Sequence, residues 1–285
     1  MTNDAKNKII LALDVDTLNE AEKLVDELKD YVGYFKIGLP LIVNYGFEAF
    51  RVIENLGAKC YFDCKFHDIP YSVDKACASL VRNGIDLFNV HIQGGSKMVS
   101  SAVKTARQTA KDLGIEPPKI LGVTLLSSFG QRTLTTELCV KEGIENYVLQ
   151  LAHVAKDCGL NGVVASAEEA RRIRQEMGDD FIILCPATRP VWSVVNDQVR
   201  VDTPREAILS GVDYMVIGRP ITEAENHIAT AEMIIDEIEN AINEIKPAIA
   251  PTKIPSLSEE SIRQLYLTKS HITKGAIKQI KNKKD

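Results

Sequence analysis

Residues 59–72 read Lys59-Cys60-Tyr61-Phe62-Asp63-Cys64-Lys65-Phe66-His67-Asp68-Ile69-Pro70-Tyr71-Ser72. The apolar, aromatic first half predicts a buried strand, and the proline predicts the start of a helix directly after it. The charged residues Asp63, Lys65 and Asp68 therefore fall where the strand ends. Because side chains alternate along a strand, we expect Asp63 and Lys65 to point the same way, with Cα atoms roughly 6–7 Å apart.

This spacing places an ammonium group between two carboxylates. Opposite charges within a few ångströms favour the charged form of each group, so Lys65 is predicted to stay protonated and to donate a proton among anions. An isolated Asp-x-Lys is more often a solvated ion pair at a strand end. The functional interpretation therefore depends on the rest of the chain.

The same strand-then-helix unit recurs on both sides of this segment. Strands are predicted at 8–15, 34–38, 86–91, 119–126, 162–164, 181–184 and 214–217, and helices at 17–28, 40–56, 70–83, 96–113, 144–158, 167–177 and 203–210. Strict alternation over about 240 residues favours an α/β fold with a parallel eight-stranded sheet closed into a (β/α)8 TIM barrel. No Gly-x-Gly-x-x-Gly follows the first strand, which argues against a dinucleotide-binding sheet.

Active sites of such barrels lie at the carboxyl ends of the strands. Polar residues are predicted at those ends: Asp14, Lys36, Asp63, Lys65, His91, Ser127, Arg189 and Arg219. Arg189 follows the seventh strand and Gly218-Arg219 follows the eighth, where barrels commonly hold a phosphate, so a phosphorylated substrate is predicted. The long segment 191–201 is predicted to be either a lid over the ligand or a packed excursion anchored by Trp192, the only tryptophan.

Composition narrows the class of protein. With 285 residues, 45% hydrophobic content and a net charge of −5, the chain is predicted to be globular, with no nucleic acid as its main partner. It has no apolar leader and no run long enough to span a membrane, so a cytoplasmic location is expected. Six cysteines without Cys-x-x-Cys spacing suit reduced thiols, and the five histidines form no ligand cluster.

The chain is expected to divide into a barrel domain at 1–245 and an extension at 246–285. The extension is punctuated by Pro247, Pro251 and Pro255, shows a short helical pattern, and ends rich in lysine. We expect it to be partly helical or flexible.

The motif Asp63-Cys64-Lys65-Phe66-His67-Asp68-Ile69-Pro70-Tyr71-Ser72 resembles the hallmark of the orotidine 5′-phosphate decarboxylase family. Further pieces resemble the same family over residues 8–243: Leu11-Ala12-Leu13-Asp14, Phe35-Lys36-Ile37-Gly38, Val123-Thr124-Leu125-Leu126-Ser127-Ser128, Asp197-Gln198 with Arg200, Thr203-Pro204, and Val216-Ile217-Gly218-Arg219-Pro220-Ile221.

This resemblance implies a homodimer that converts orotidine 5′-phosphate to uridine 5′-phosphate without cofactor or metal. Lys65 would protonate carbon 6 of the pyrimidine, within a charge array completed by Asp63, Asp68 and Lys36. Asp68, Ile69 and Ser72 would reach into the partner's site, which makes the active sites composite. The other implied substrate contacts are Asp14 and Lys36 to the ribose, Ser127 to the base, Gln198 bridging base and phosphate, and Arg189, Gly218 and Arg219 to the phosphate. Pro186 is a further implied substrate contact.

The sequence departs from the family pattern at Ala187, which replaces a glycine and makes the local loop geometry an open question. Ser72 replaces a threonine and keeps the hydroxyl, and Tyr71 replaces a smaller polar residue. Two alternatives stay open from the residues: a metal-dependent sugar-phosphate decarboxylase or aldolase on the same barrel, and a non-catalytic phosphate-binding barrel.

Overall fold

The computed structural model describes the backbone of residues 3–193 and 202–249, and the side chains of residues 4–193 and 202–245. Eight parallel strands close into one barrel in chain order. They are β1 Ile9–Ala12, β2 Tyr34–Ile37, β3 Cys60–Phe66, β4 Leu87–His91, β5 Lys119–Val123, β6 Gly162–Val164, β7 Ile182–Cys185 and β8 Tyr214–Ile217. The predicted (β/α)8 barrel is therefore confirmed.

One short helix precedes the first strand, and the other helices lie between or after the strands and cover the barrel. They are α1 Asn3–Lys6, α2 Leu18–Leu28, α3 Leu39–Tyr45, α4 Glu48–Asn55, α5 Pro70–Arg82, α6 Gly95–Leu113, α7 Ile144–Asp157, α8 Ala167–Met177, α9 Pro204–Leu209, α10 Arg219–Thr222 and α11 His227–Ile249. The start of α2 has a threonine cap, with Thr17 Oγ1 accepting from the Glu20 N–H at 3.2 Å and the Glu20 carboxylate accepting from the Thr17 N–H.

The prediction of a single helix over 40–56 is wrong. Gly46 takes a φ of +55°, a left-handed conformation that ends α3, and α4 starts afresh at Glu48. A helical pattern of apolar residues continues across the break, which is why periodicity alone did not reveal it.

Two apolar clusters hold the barrel together. One fills the inside of the sheet and consists of Ile10, Ala12, Tyr34, Tyr61, Leu87, Leu121, Val123, Val164, Leu184 and Val216. The larger one lies between the outer face of the strands and the helices. At β6 the backbones approach so closely that a Cβ on Gly162 would collide with the Ile182 carbonyl oxygen, and this position therefore requires glycine.

Contacts along the chain separate one unit at Met1–Ile245 from a second at Lys246–Asp285. The predicted linker prolines and lysine-rich end belong to the second unit, whose side chains lie outside the described residues. Among the helices that are described, none is long and apolar enough to cross a membrane. All six cysteines are free thiols, as predicted.

Candidate active site

One cavity of about 350 Å³ opens at the carboxyl ends of the strands. It brings together nine of the predicted site residues: Asp14, Lys36, Asp63, Lys65, Ser127, Pro186, Arg189, Gly218 and Arg219. These residues come from six different strand ends or the loops that follow them, so the barrel closure is what makes them neighbours.

The strand that carries Asp63 and Lys65 is irregular. Phe62 pairs with Phe88 of β4, but the next pair along is Phe66 with Val90, so β3 has two more residues than β4 between the same rungs. The extra residues form a bulge in which Lys65 takes a φ of +47°. The prediction that Asp63 and Lys65 share a side by regular alternation is therefore wrong in its reason, although their side chains do meet.

Four charged side chains alternate in sign across the cavity. Lys65 Nζ donates to Asp63 Oδ1 at 2.6 Å, and the other oxygen of that carboxylate lies 4.0 Å from Lys36 Nζ. Lys36 Nζ also donates to Asp14 Oδ1 at 3.0 Å. Asp63 is therefore shared by two ammonium groups, and Lys36 is shared by two carboxylates.

The electrostatic environment keeps Asp63 ionised. Burial raises the pKa of this carboxyl group, but Lys65, Lys36 and the hydrogen bonds from Lys65 and Asn89 outweigh burial, so the pKa is lowered from its usual 3.8. A carboxylate that is mostly buried and still negative produces a strong local field beside the Lys65 ammonium group.

Three predicted residues do not line this cavity: Asp68, Ile69 and Ser72. Asp68 is exposed, and its Oδ1 accepts from the Ile69 N–H at 2.6 Å. Within the described residues of this chain, Asp68 forms no ion pair with Lys65. The expectation that Lys65 sits between Asp63 and Asp68 is thus not met inside one chain.

The side predicted to hold a phosphate contains one buried and one exposed guanidinium group. Arg189 is 5% exposed, and its backbone N–H donates to the Asp202 backbone carbonyl at 3.0 Å. Arg219 is exposed at the first residue of α10, directly after Gly218. Both residues line the cavity that also contains Lys65.

The loop with the family departure keeps the backbone shape that glycine favours. Ala187 takes a φ of +59°, in the left-handed region that residues with a Cβ rarely adopt. The replacement of glycine therefore strains the loop without removing this conformation.

The predicted lid is described only at its start. Val191–Ser193 forms a 3-10 turn in which Trp192 is 50% exposed, so Trp192 does not anchor the loop in the core. The predicted contact Gln198 lies outside the described residues.

Asn89 is a residue of the site that was not predicted from the sequence. This β4 residue is fully buried, and its side-chain amide contacts Tyr61, Asp63 and the backbone N–H of Lys65 at 2.6 to 2.8 Å. The sequence does contain an indication of its role, because Asn89 is a polar residue inside the apolar run Leu87-Phe88-Asn89-Val90. A buried amide is almost always hydrogen-bonded, so this residue must have polar partners nearby.

Comparison with known proteins gives a consistent result. The sequence profile of the Orotidine 5′-phosphate decarboxylase / HUMPS family matches residues 7–234. The orotidine 5′-phosphate decarboxylase of Moorella thermoacetica is 44% identical over 235 residues, which cover 82% of this chain and 93% of that protein. The enzyme of the same name from Heliobacterium modesticaldum is 40% identical, with 82% and 97% covered.

Solved structures agree. The crystal structure of orotidine 5′-phosphate decarboxylase from Lactobacillus acidophilus superposes with a TM-score of 0.71 at 32% identity, covering 81% of this chain and 98% of that one. Profile, relatives and fold thus agree over the barrel, and the chain belongs to the Orotidine 5′-phosphate decarboxylase / HUMPS family.

Proposed function

We propose that this protein decarboxylates orotidine 5′-phosphate to uridine 5′-phosphate, the last step of de novo pyrimidine synthesis, in the cytoplasm and without cofactor or metal. The observation that carries the proposal is the pairing of Lys65 with Asp63 at 2.6 Å in the cavity that also receives Arg189 and Arg219. A proton donor and an anion site in one cavity suit a phosphorylated substrate that loses carbon dioxide.

The chemistry needs one proton. When the bond between carbon 6 and the carboxylate breaks, its electron pair stays on carbon 6, carbon dioxide leaves, and Lys65 Nζ delivers a proton to that carbon. The neutral amine then takes a proton from solvent. Fixed charges stabilise the developing carbanion better than water does, because they need no reorganisation when the charge appears.

Asp63 has two roles in this proposal. It holds the Lys65 ammonium group in place, and it sits near the substrate carboxylate that departs. Asp14 and Lys36 would hold the ribose hydroxyls, Ser127 the base, and Gln198 both base and phosphate. Pro186, Arg189, Gly218 and Arg219 would surround the phosphate, whose binding energy is available to organise the distant reacting end.

We also propose a homodimer with composite sites. Ile69 and Tyr71 are 65% and 69% exposed although both are large and apolar, and Asp68 lies beside them outside the cavity of its own chain. Exposed apolar side chains next to an exposed carboxylate suit a surface that a second copy covers. Asp68, Ile69 and Ser72 would then complete the partner's site.

The direct test is the loss of orotidine 5′-phosphate absorbance on adding purified protein in EDTA. We expect full turnover in EDTA. Activity that disappears in EDTA and returns with Mg²⁺ would favour the metal-dependent decarboxylase or aldolase, and binding without turnover would favour the non-catalytic barrel.

Lys65→Ala tests the role of the amine. We expect turnover to fall by at least about 1,000-fold, because the proton donor is gone, while uridine 5′-phosphate still binds in calorimetry. Near-normal turnover by this variant would reject Lys65 as the proton donor.

A further inference from the structure

Asn89 has no part in the chemistry proposed above, yet it contacts both members of the central ion pair. Its Oδ1 accepts from the Lys65 backbone N–H at 2.6 Å, and its Nδ2 donates to Asp63 Oδ1 at 2.8 Å. The same Nδ2 lies 2.7 Å from the hydroxyl of Tyr61, which in turn is 3.4 Å from Asp63 Oδ1. One buried amide therefore connects the backbone of the lysine with the carboxylate of the aspartate.

The partners decide which way this amide faces. A backbone N–H only donates and an ionised carboxylate only accepts, so the amide oxygen must face Lys65 and the amide nitrogen must face Asp63. The reverse orientation would place donor against donor and acceptor against acceptor. The residue is 0% exposed, so water does not compete for these bonds.

Asn89 also restrains the backbone of the bulge in β3. Where β3 carries two extra residues, the Lys65 N–H is not in the regular ladder with β4, and Lys65 is left-handed at a φ of +47°. Such a conformation is disfavoured for a residue with a Cβ and persists only when surrounding bonds hold it. The hydrogen bond from the Lys65 N–H to Asn89 is such a restraint. It fixes the position of the Lys65 backbone and therefore of the Cα atom that carries the side chain.

We propose that Asn89 is a positioning residue for the decarboxylation: it holds Lys65 in the left-handed bulge and turns Asp63 toward the Lys65 ammonium group. The inference rests on the proposed function. Asn89 acts through Lys65 and Asp63 and lies beneath them in the barrel wall, outside the lining of the cavity.

Asn89→Ala tests the proposal against a control at another asparagine that accepts a strand N–H. A displaced proton donor should lower kcat by about 100-fold and change KM by less than about 5-fold, because the phosphate end of the site is untouched. The control is Asn161→Ala: Asn161 Oδ1 also accepts a strand N–H, that of Ile120 at 2.8 Å, but before β6 at the opposite end of the barrel. We expect this variant to lose stability and to keep kcat within about 2-fold. A kcat for Asn89→Ala as close to wild type as that of the control would overturn the proposal.

Asn89→Asp distinguishes a residue that positions Lys65 and Asp63 from a residue that only stabilises the fold. It keeps an acceptor for the Lys65 N–H but sets a second carboxylate against Asp63. Two facing carboxylates bind a shared proton, so kcat/KM relative to wild type should rise as pH falls from about 8 to about 5.5. The other titratable groups near this position are Lys36, Tyr61, Cys64, Lys65 and His91, and all are present in both proteins. A ratio that does not change with pH would contradict the contact between Asn89 and Asp63.

Hydrogen exchange tests the proposal on the wild-type protein, so this test does not depend on whether a variant folds. The Lys65 amide should exchange at least about 100-fold more slowly than an unbonded amide, because its partner is a buried side chain. Fast exchange would overturn the proposal. Failure of the wild-type protein to turn over the nucleotide would instead reject the proposed function, whereas normal wild-type turnover with an unimpaired Asn89→Ala would reject only the role of Asn89.

Discussion

Single residues carry strain where the site needs an unusual backbone. Lys65 and Ala187, both at the cavity, take φ values of +47° and +59°. Strained residues of this kind cluster at functional sites because surrounding contacts can hold them there. At Lys65 those contacts include Asn89, and the bulge sets the direction in which the amine leaves the strand.

Ala187→Gly should stabilise the protein. Glycine accepts a φ of +59° without a steric penalty, and this gain exceeds the entropy that glycine adds to the unfolded chain. We expect a rise of about 0.5–1 kcal/mol in the free energy of unfolding, measured in urea. Cys139→Gly is a parallel test at a second left-handed residue, with a φ of +56°. A loss of stability in both variants would contradict the strain argument.

His91 should make stability depend on pH. Burial, His67 and Lys65 lower the pKa of His91 from 6.5, and Asp63 opposes them weakly. Its Nδ1 is buried without a hydrogen-bond partner among the described residues. The unfolded chain binds a proton as pH falls through 6.5, whereas the lowered pKa of His91 means that the folded protein binds it only at a lower pH, so stability is lost as pH falls below 6.5.

His91→Gln should therefore lose less free energy of unfolding than wild type between about pH 7.5 and pH 5.5, measured by urea unfolding at each pH. Between about pH 8 and pH 7.5 the two proteins should change in parallel, which is the internal control. Identical losses across the acid range would show that His91 does not titrate as described.

Among the helices, α8 is connected to the neighbouring strands by the hydrogen bonds and the ion pair of one arginine. Arg174 donates to the carbonyls of Gly178, Asp179, Phe181 and Gly211 at 2.7 to 3.2 Å. It also pairs with Asp213 at 2.6 Å, and the same Asp213 oxygen accepts from the N–H of Ile183 in β7. A single guanidinium group thus forms hydrogen bonds with both segments that lead into β7 and β8.

Arg174→Met should lower the free energy of unfolding by about 2–4 kcal/mol, because it leaves several half-buried acceptors and a carboxylate without their donor. Arg172→Met on the same helix is the control. Arg172 is more exposed than Arg174 and has looser ion pairs, at 3.6 Å, to Glu145 and Glu176, so a change of less than about 1 kcal/mol is expected. Equal effects of the two substitutions in urea unfolding would refute the special role of Arg174.

The molecule as a whole is proposed to work as a pair of chains. Asp68 is exposed and outside the cavity of its own chain, and Ile69 and Tyr71 beside it expose large apolar surfaces. If each site takes Lys65 from one chain and Asp68 from the other, a variant at either residue damages both sites of a homodimer.

Mixing Lys65→Ala with Asp68→Asn should then restore activity. Random pairing makes about half of the dimers mixed, and each mixed dimer has one intact site of two, so about 25% of wild-type activity is expected. The measurement is turnover after co-expression, with the two variants purified separately as controls. Activity no higher than the sum of the separate variants would exclude composite sites of this kind.

The local pattern of the chain was sufficient to predict the architecture. Alternating apolar strands and amphipathic helices specify a parallel sheet, and eight such units favour a closed barrel, whose strand ends then indicate Asp14, Lys36, Asp63, Lys65, Ser127, Arg189 and Arg219 as neighbours. These inferences succeeded because they depend only on periodicity and on the order of elements along the chain.

The bulge in β3, the left-handed Lys65 and the buried amide of Asn89 were visible only in three dimensions. Each depends on which residue of a neighbouring strand stands opposite, and that register is set by packing between segments distant in sequence. A polar residue in an apolar strand indicates that a partner exists. The closed barrel determines that this partner is the ion pair of the candidate site.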